Sequence, residues 1–486
     1  MSAQVFPPNL GASYACGTRI GDYVSNIPPE LLAAIFHTAQ RPSAVDEQQP
    51  GEEDDEFAHR CGLQTQVEVL VSHVNVYWRN IALSTSILWR HIHIGQNESV
   101  EKIRAYLARS GPCTPLHFRL DLTRNIPALA EILDLVFEQL GRWERFTIHS
   151  NMETASVPVV SRLYDTAAPS LEQLGLCIHD VDSENLQRVR RGDFEQILTQ
   201  GCPRLTVLRL RGLSMHFFRP PLTNITTLYL EQTRGLFMGY ECFKHFLTAA
   251  PALAHLSIHD AIIDEGADFW PDNSVDCIPL PNLVSLRISI PGTLQHIFSD
   301  ILISISAPEL QSLVLKEVGQ IHLDRFLQLP SASSKFPALR SLTFCDFDYQ
   351  SPERLALMCA ALPSITEFTC IHTTAYAPTI LVMMAGKSTA SVAGSPTGDP
   401  WPHLRTFSTN LDVDDLELTK EAVERRQRIG CPLWLLRISG IEEEDIDEDE
   451  EETWEWLGEN LTVERFEAIE RWPPGSDYDP DDTLFT

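Results

Sequence analysis

Pro203-Arg204-Leu205-Thr206-Val207-Leu208-Arg209-Leu210 is one copy of a phrase that returns along most of the chain. Pro169/Leu171/Leu174/Leu176 precedes it, and Ile225/Leu228/Leu230 follows it without the proline. Next come Pro251/Leu253/Leu256/Ile258, Pro281/Leu283/Leu286/Ile288, Pro308/Leu310/Leu313/Leu315 and Pro337/Leu339/Leu342/Phe344. Pro363/Ile365/Phe368/Cys370 and Pro402/Leu404/Phe407 are weaker copies, and Trp143/Phe146/Ile148 reads as an earlier degenerate one. The alternation that ends each phrase is a strand signal, and the interval leaves room for a returning segment. So short a unit cannot bury its own leucines, so it must stack on its neighbours. The proline turns the chain out of the preceding loop and removes a donor where no ladder bond is needed. An ordinary α/β domain with Leu-rich strands is the competing reading; the common register of so many copies argues against it.

The stretch ahead of the repeats has a different period. Ile27-Pro28-Pro29-Glu30-Leu31-Leu32-Ala33-Ala34-Ile35-Phe36 opens with proline, tolerated at a first helical position, and places Glu30 where the helix dipole favours an acid. Leu31, Leu32, Ile35, Phe36 and Ala39 recur at helical spacing, as do Val67, Leu70, Val71, Val74, Trp78, Ile81 and Ala82. Between the two helices lies an acidic insert, 41–60, with Glu52-Glu53-Asp54-Asp55-Glu56, too polar to bury and read as a solvated loop. After Trp89 the pattern predicts a helix on Val100, Ile103 and Leu107, a strand on Leu116, Phe118, Leu120 and Leu122, and a helix from Leu129 to Leu140.

Two resemblances follow from these residues. Ile27-Pro28-Pro29-Glu30-Leu31-Leu32-x-x-Ile35-Phe36, then Val71-Ser72-His73-Val74-x-x-x-Trp78-Arg79-x-Ile81-Ala82-Leu83-Ser84-Thr85 and Leu88-Trp89, resembles an F-box of the basidiomycete fungal type. Asn75-Val76-Tyr77 stands where the family has Cys-Arg-Arg, and the inter-helix segment is longer. The returning phrase resembles the leucine-rich repeat. Together they imply an α/β chain: a small helical F-box followed by a leucine-rich-repeat solenoid with a parallel concave sheet. The implied domains are a mobile N-terminus 1–24, F-box-like helices 25–94, the solenoid 95–440 and an acidic C-terminal tail 441–486.

The F-box resemblance implies a Skp-type adaptor as partner, bound helix-in-groove through Ile27, Pro28, Leu31, Leu32, Ile35, Val71 and Val74. Trp78 and Ile81 read as core. The implied function is the substrate-recognition subunit of an SCF-type cullin-RING ubiquitin ligase, with an unknown protein substrate on the repeats. A protein-interaction scaffold with a degenerate F-box, outside any ligase, is the alternative. On the strand face opposite the leucines the register places Arg209, Arg211, Tyr229, His255, His259, Arg287 and Lys316. These outward residues form the candidate substrate surface, suited to an acidic or phosphorylated ligand; a merely solvated sheet face is the plainer reading.

Composition narrows the rest. The chain has 486 residues and a formal net charge of -30, which argues against non-specific nucleic-acid binding. Its 11 cysteines include no C-x-x-C pair, so neither a disulfide framework nor a zinc site is expected. His91-x-His93 has chelating spacing but no third ligand nearby in sequence. No nucleophile elbow, P-loop or H-E-x-x-H occurs; an enzyme is not expected, nor any cofactor or metal. With no signal peptide and no apolar run of membrane length, a cytoplasmic or nuclear protein is expected. Lys387 to Pro400 reads as a flexible insertion, and Pro432 to Ile438 as a closing strand. Beyond it, Glu442 to Glu452 is acidic at every position except Ile446, followed by Trp454, Trp456, Leu457 and Leu461, read as docking beside a solvated acidic run.

Overall fold

Each leucine phrase forms a turn and then a strand. The computed structural model describes residues 27–40, 66–96, 98–179, 195–232, 238–260, 262, 277–290, 297–319, 321–346, 351–371, 379–388, 399–441, 446, 448–466 and 472–473. The N-terminal 1–24, the acidic insert 41–60 and residues 389–398 of the expected insertion lie outside them. By its internal contacts the chain divides into two units, Met1–Arg90 with Tyr106–Thr114, and His91–Ala105 with Pro115–Thr486. The fold class is α/β.

Among the described residues, the second unit holds a large sheet of 14 strands in which sequence order is spatial order, beside two small two-stranded sheets. The first strands are β1 (His91–Ile94), β2 (Leu116–Asp121), β3 (Trp143–Ser150), β4 (Gln173–Ile178) and β5 (Val207–Gly212). The central ones are β6 (Thr227–Glu231), β7 (His255–His259), β8 (Ser285–Ser289) and β9 (Ser312–Lys316). The last are β10 (Ser341–Cys345), β11 (Glu367–Ile371), β12 (Thr406–Asn410), β13 (Leu435–Ser439) and β14 (Thr462–Arg465). Every neighbouring pair is parallel.

Register follows the phrase. Leu208, Leu228, Leu256, Leu286, Leu313, Leu342, Phe368, Phe407 and Leu436 are successive partners, and none is more than 1% exposed. Full burial of each such side chain is worth roughly 1.5–3 kcal/mol. The proline has a definite place. Leu205 N donates to Cys202 O at 3.1 Å, Leu253 N to Ala250 O at 3.1 Å, Leu283 N to Leu280 O at 3.2 Å and Leu310 N to Ala307 O at 3.2 Å. Each bond closes a four-residue turn with proline second, where its fixed φ fits. The copy lacking proline closes the same turn from Ile225 N to Leu222 O at 3.1 Å. Strands β7, β9 and β10 leave through Asp260, Glu317 and Asp346, all in the left-handed region, so one exit turn recurs as well.

The expected closing strand, β13, is not the last. A helix, Glu448–Asn460, follows it and leads into β14. Leu457 is fully buried, and Thr453 Oγ1 donates to Glu417 Oε2 at 3.0 Å on the helix Leu416–Arg428. Trp454 and Trp456 are half-buried while Glu451, Glu452 and Glu455 are exposed, so the aromatic side docks and these three acids face water; Glu450 is half-buried.

In the first unit, α1 (Pro29–Ala39), α2 (Val67–Val74) and α3 (Val76–Ser84) pack around Leu32, Phe36, Val71, Ile81, Leu88 and Trp89. The apolar run from Val67 to Leu83 is two helices rather than one. Asn75 is extended, and its side chain accepts from Trp78 N at 2.8 Å, capping α3 where α2 ends. Glu68 is buried, and its oxygens accept from Gln40 Nε2 at 2.8 Å and Tyr106 Oη at 2.7 Å. Trp89 Nε1 donates to Ala82 O at 2.8 Å. Among the described residues, no helix is long and apolar enough to cross a membrane.

Arg426 ties the later repeats together. It is fully buried and donates to Pro400 O at 3.0 Å, Trp401 O at 3.1 Å and Leu404 O at 3.3 Å, on the turn ahead of β12. Burial pulls its pKa down from the ordinary value, opposed first by Asp399. Lysine has no planar fork to reach three carbonyls at once. Arg426→Lys and Arg426→Leu are therefore expected to cost about 2–4 kcal/mol. Urea denaturation of the full chain checks this; an unchanged midpoint for Arg426→Leu would show that the carbonyls do not depend on it.

Candidate binding surfaces

Helix α1 shows two apolar pairs at i,i+4 spacing, each following one helix face. Leu32 and Phe36 are each 2% exposed, and Phe36 packs on Trp78 with ring centroids 4.9 Å apart. Leu31 and Ile35 are 57% and 54% exposed. With Ile27, Ala34, Thr38 and Ala39 they line a shallow apolar depression. Leu70, Val74 and Val76 add exposed apolar surface on α2 and α3.

Of the residues expected to meet an adaptor, Pro28, Leu31, Ile35 and Val74 are exposed and Ile27 is half-buried. Leu32 and Val71 are corrected. Both are buried, so they hold the helices together rather than present themselves to a partner. The apolar spacing of α1 allows either pair to face inward; packing on Trp78 selects Leu32 and Phe36.

The residues expected on the second face of the sheet fall into three rows. One row runs Gly175, Arg209, Tyr229, Ser257, Arg287, Val314. A second, two residues further along each strand, runs Cys177, Arg211, Glu231, His259, Ser289, Lys316. His255 lies in a third, between Thr227 and Ser285. All seven residues therefore share this face. The expectation that all seven are outward residues available to a substrate is corrected for three of them, while Arg211, His255, His259 and Lys316 are half-buried. Arg209, Tyr229 and Arg287 are each only 2% exposed.

The burial has a chemical pattern. Arg209 Nε lies 3.4 Å from Glu231 Oε1, and Arg211 Nε lies 3.9 Å from Glu231 Oε2. The guanidinium carbon of Arg209 stands 4.4 Å from the centre of the Tyr229 ring, and that of Arg287 stands 5.4 Å from it. Arg287 Nε donates to Ser257 Oγ at 2.8 Å. One buried carboxylate thus answers two of the expected cations. Glu231 was legible only as the register partner of Arg211 on the next strand.

Trp472 lies on the same face and had no sequence signal. Its Nε1 donates to Ser285 Oγ at 2.7 Å, and the Arg287 guanidinium carbon stands 4.3 Å from its ring centre. Tyr229 and His255 meet the ring edge-on at 5.4 Å and 6.0 Å. Burial lowers the His255 pKa.

Elsewhere, His91 packs edge-on against His117 at 4.6 Å, and among the described residues no three metal-binding side chains gather. The described cysteines are free thiols, and burial pushes Cys202 and Cys345 up to about 11. No family model and no curated protein matches the chain.

Two expectations test these surfaces. Leu32→Ala should destabilise the first unit by about 2–4 kcal/mol while Leu31→Ala stays within about 0.5 kcal/mol, read by hydrogen exchange over α1–α3. On the sheet, Arg209→Met and Glu231→Gln should each cost about 2–4 kcal/mol, because each leaves a buried partner charge or acceptor. Their double variant should cost less than the sum by about 1 kcal/mol or more. Strict additivity in chemical denaturation would show that the pair is not coupled.

Proposed function

We propose that the chain is the substrate-recognition subunit of an SCF-type cullin-RING ubiquitin ligase. The first unit acts as an F-box that holds a Skp-type adaptor, and the sheet, as a leucine-rich-repeat solenoid, holds a target protein. The observation that carries this is the exposed apolar pair Leu31 and Ile35, with Val74, on a small helical unit ahead of stacked parallel strands. An unsatisfied helix face of this kind suits a partner that receives a helix in a groove. The protein itself does no covalent chemistry in this reading; transfer belongs to other subunits.

A protein-interaction scaffold with a degenerate F-box is favoured by one feature. Asn75 ends α2 and caps α3 at the position where the family carries Cys-Arg-Arg. Co-purification with a Skp-type adaptor separates the readings. The full chain is expected to retain the adaptor. Leu31→Glu with Ile35→Glu should abolish retention, since loss of one buried anchor costs about 2 kcal/mol or more. The thermal transition of the double variant should stay unchanged, because both side chains already face solvent. A folded wild-type chain that retains no adaptor would leave the scaffold reading.

A further inference from the structure

We propose that the sheet face around Tyr229, His255, Ser285 and Arg287 is a receptor for a tryptophan side chain carried on an acidic peptide. Trp472 fills it in the free chain and gives way when such a peptide binds. The site stands on its own geometry; only the assignment of that peptide to a degradation target rests on the ligase reading.

The first support is the fit of the indole. Its N–H meets Ser285 Oγ at 2.7 Å, and a guanidinium covers its ring at 4.3 Å. Tyr229 and His255 close its edges, each at 80° to its plane. Phenylalanine lacks the donor for Ser285, and tyrosine carries its donor at the far end of the ring, so this arrangement selects tryptophan. The second support is that the receptor is built from beneath. Ser257 Oγ accepts from Arg287, and Arg209 covers Tyr229 from the side of β5. The third is where burial falls. Strands β6 and β8 are buried at all five positions, whereas β9, β11 and β13 alternate. Trp472 contacts Tyr229 on β6 and Ser285 and Arg287 on β8, the two fully buried strands.

The chemistry of the flanking chain comes from the occupant. Downstream of Trp472 the sequence carries Asp477, Asp479, Asp481 and Asp482 and no Lys or Arg. A partly exposed cation, Arg211, and Lys316 lie in the adjacent row of the receiving face. Charge-assisted contacts there would add to the indole contact and weaken with salt. Because Trp472 is tethered, its effective concentration is high, and a free peptide must compete with it.

The probe is a labelled peptide of residues 470–486, read by fluorescence anisotropy against the full-length protein. It should bind Trp472→Ala at least ~10-fold more tightly than wild type, because the tethered competitor is gone. Changing the peptide tryptophan to alanine, or adding Arg287→Met to the Trp472→Ala protein, should reduce binding by roughly 10-fold or more. Equal binding to wild type and Trp472→Ala, or none to folded Trp472→Ala, overturns the proposal. If Trp472→Ala melts, Trp472→Phe, which keeps the packing and drops the N–H, takes its place with the same two outcomes. Adaptor retention is read on the same samples. Peptide binding without adaptor retention removes the ligase reading and keeps the receptor; adaptor retention without peptide binding does the reverse.

Discussion

A five-residue strand with alternate leucines satisfies neither its backbone nor its apolar face alone, and this constraint organises the second unit. Both needs are met by a parallel neighbour in register, which pairs the ladder and places leucine beside leucine. Leu208 to Leu436 form such a row, closed to water throughout. Once that register is set, the turns must repeat too. The proline-second turn before the strand and the left-handed exit at Asp260, Glu317 and Asp346 are its consequences.

The same register decides the chemistry of the opposite face. Residues between the leucines fall into rows, and long side chains in neighbouring strands lie against one another. Arg209 meets Tyr229, and Tyr229 and Trp472 both meet Arg287. A guanidinium can be buried this way because an aromatic face, a hydroxyl and Glu231 replace water around it. The first unit presents the opposite case. Leu31 and Ile35 remain in water although nothing polar requires it, and a partner would remove that cost. Among the described residues, α1 thus presents an exposed apolar pair, and the sheet a polar face that Trp472 covers at Arg287.

Two expectations changed for one reason: spacing names a face but not its neighbour. In α1 the pattern marks five apolar residues, and only Trp78 packing on Phe36 turns Leu32 inward and Leu31 out. On the sheet the pattern places Arg209 and Arg287 opposite the leucines, which holds, but exposure depends on what lies above them. Trp472 lies above Arg287, joined to Ser285 across 187 positions of sequence. No local pattern carries a contact of that range. Asn75 is different: its preference for a cap was readable, but the apolar stripe on either side masked it.

The sequence by itself determined the parallel sheet, its register and the composition of each face. These are properties of a short phrase repeated in order, and periodicity encodes them locally. Tertiary structure alone decided which side of α1 meets solvent, that Glu231 lies between Arg209 and Arg211 as their shared ion-pair partner, and that a tryptophan from beyond the last strand closes over Arg287. Those outcomes depend on desolvation and on partners far apart in the chain, and such energies exist only once the elements have met.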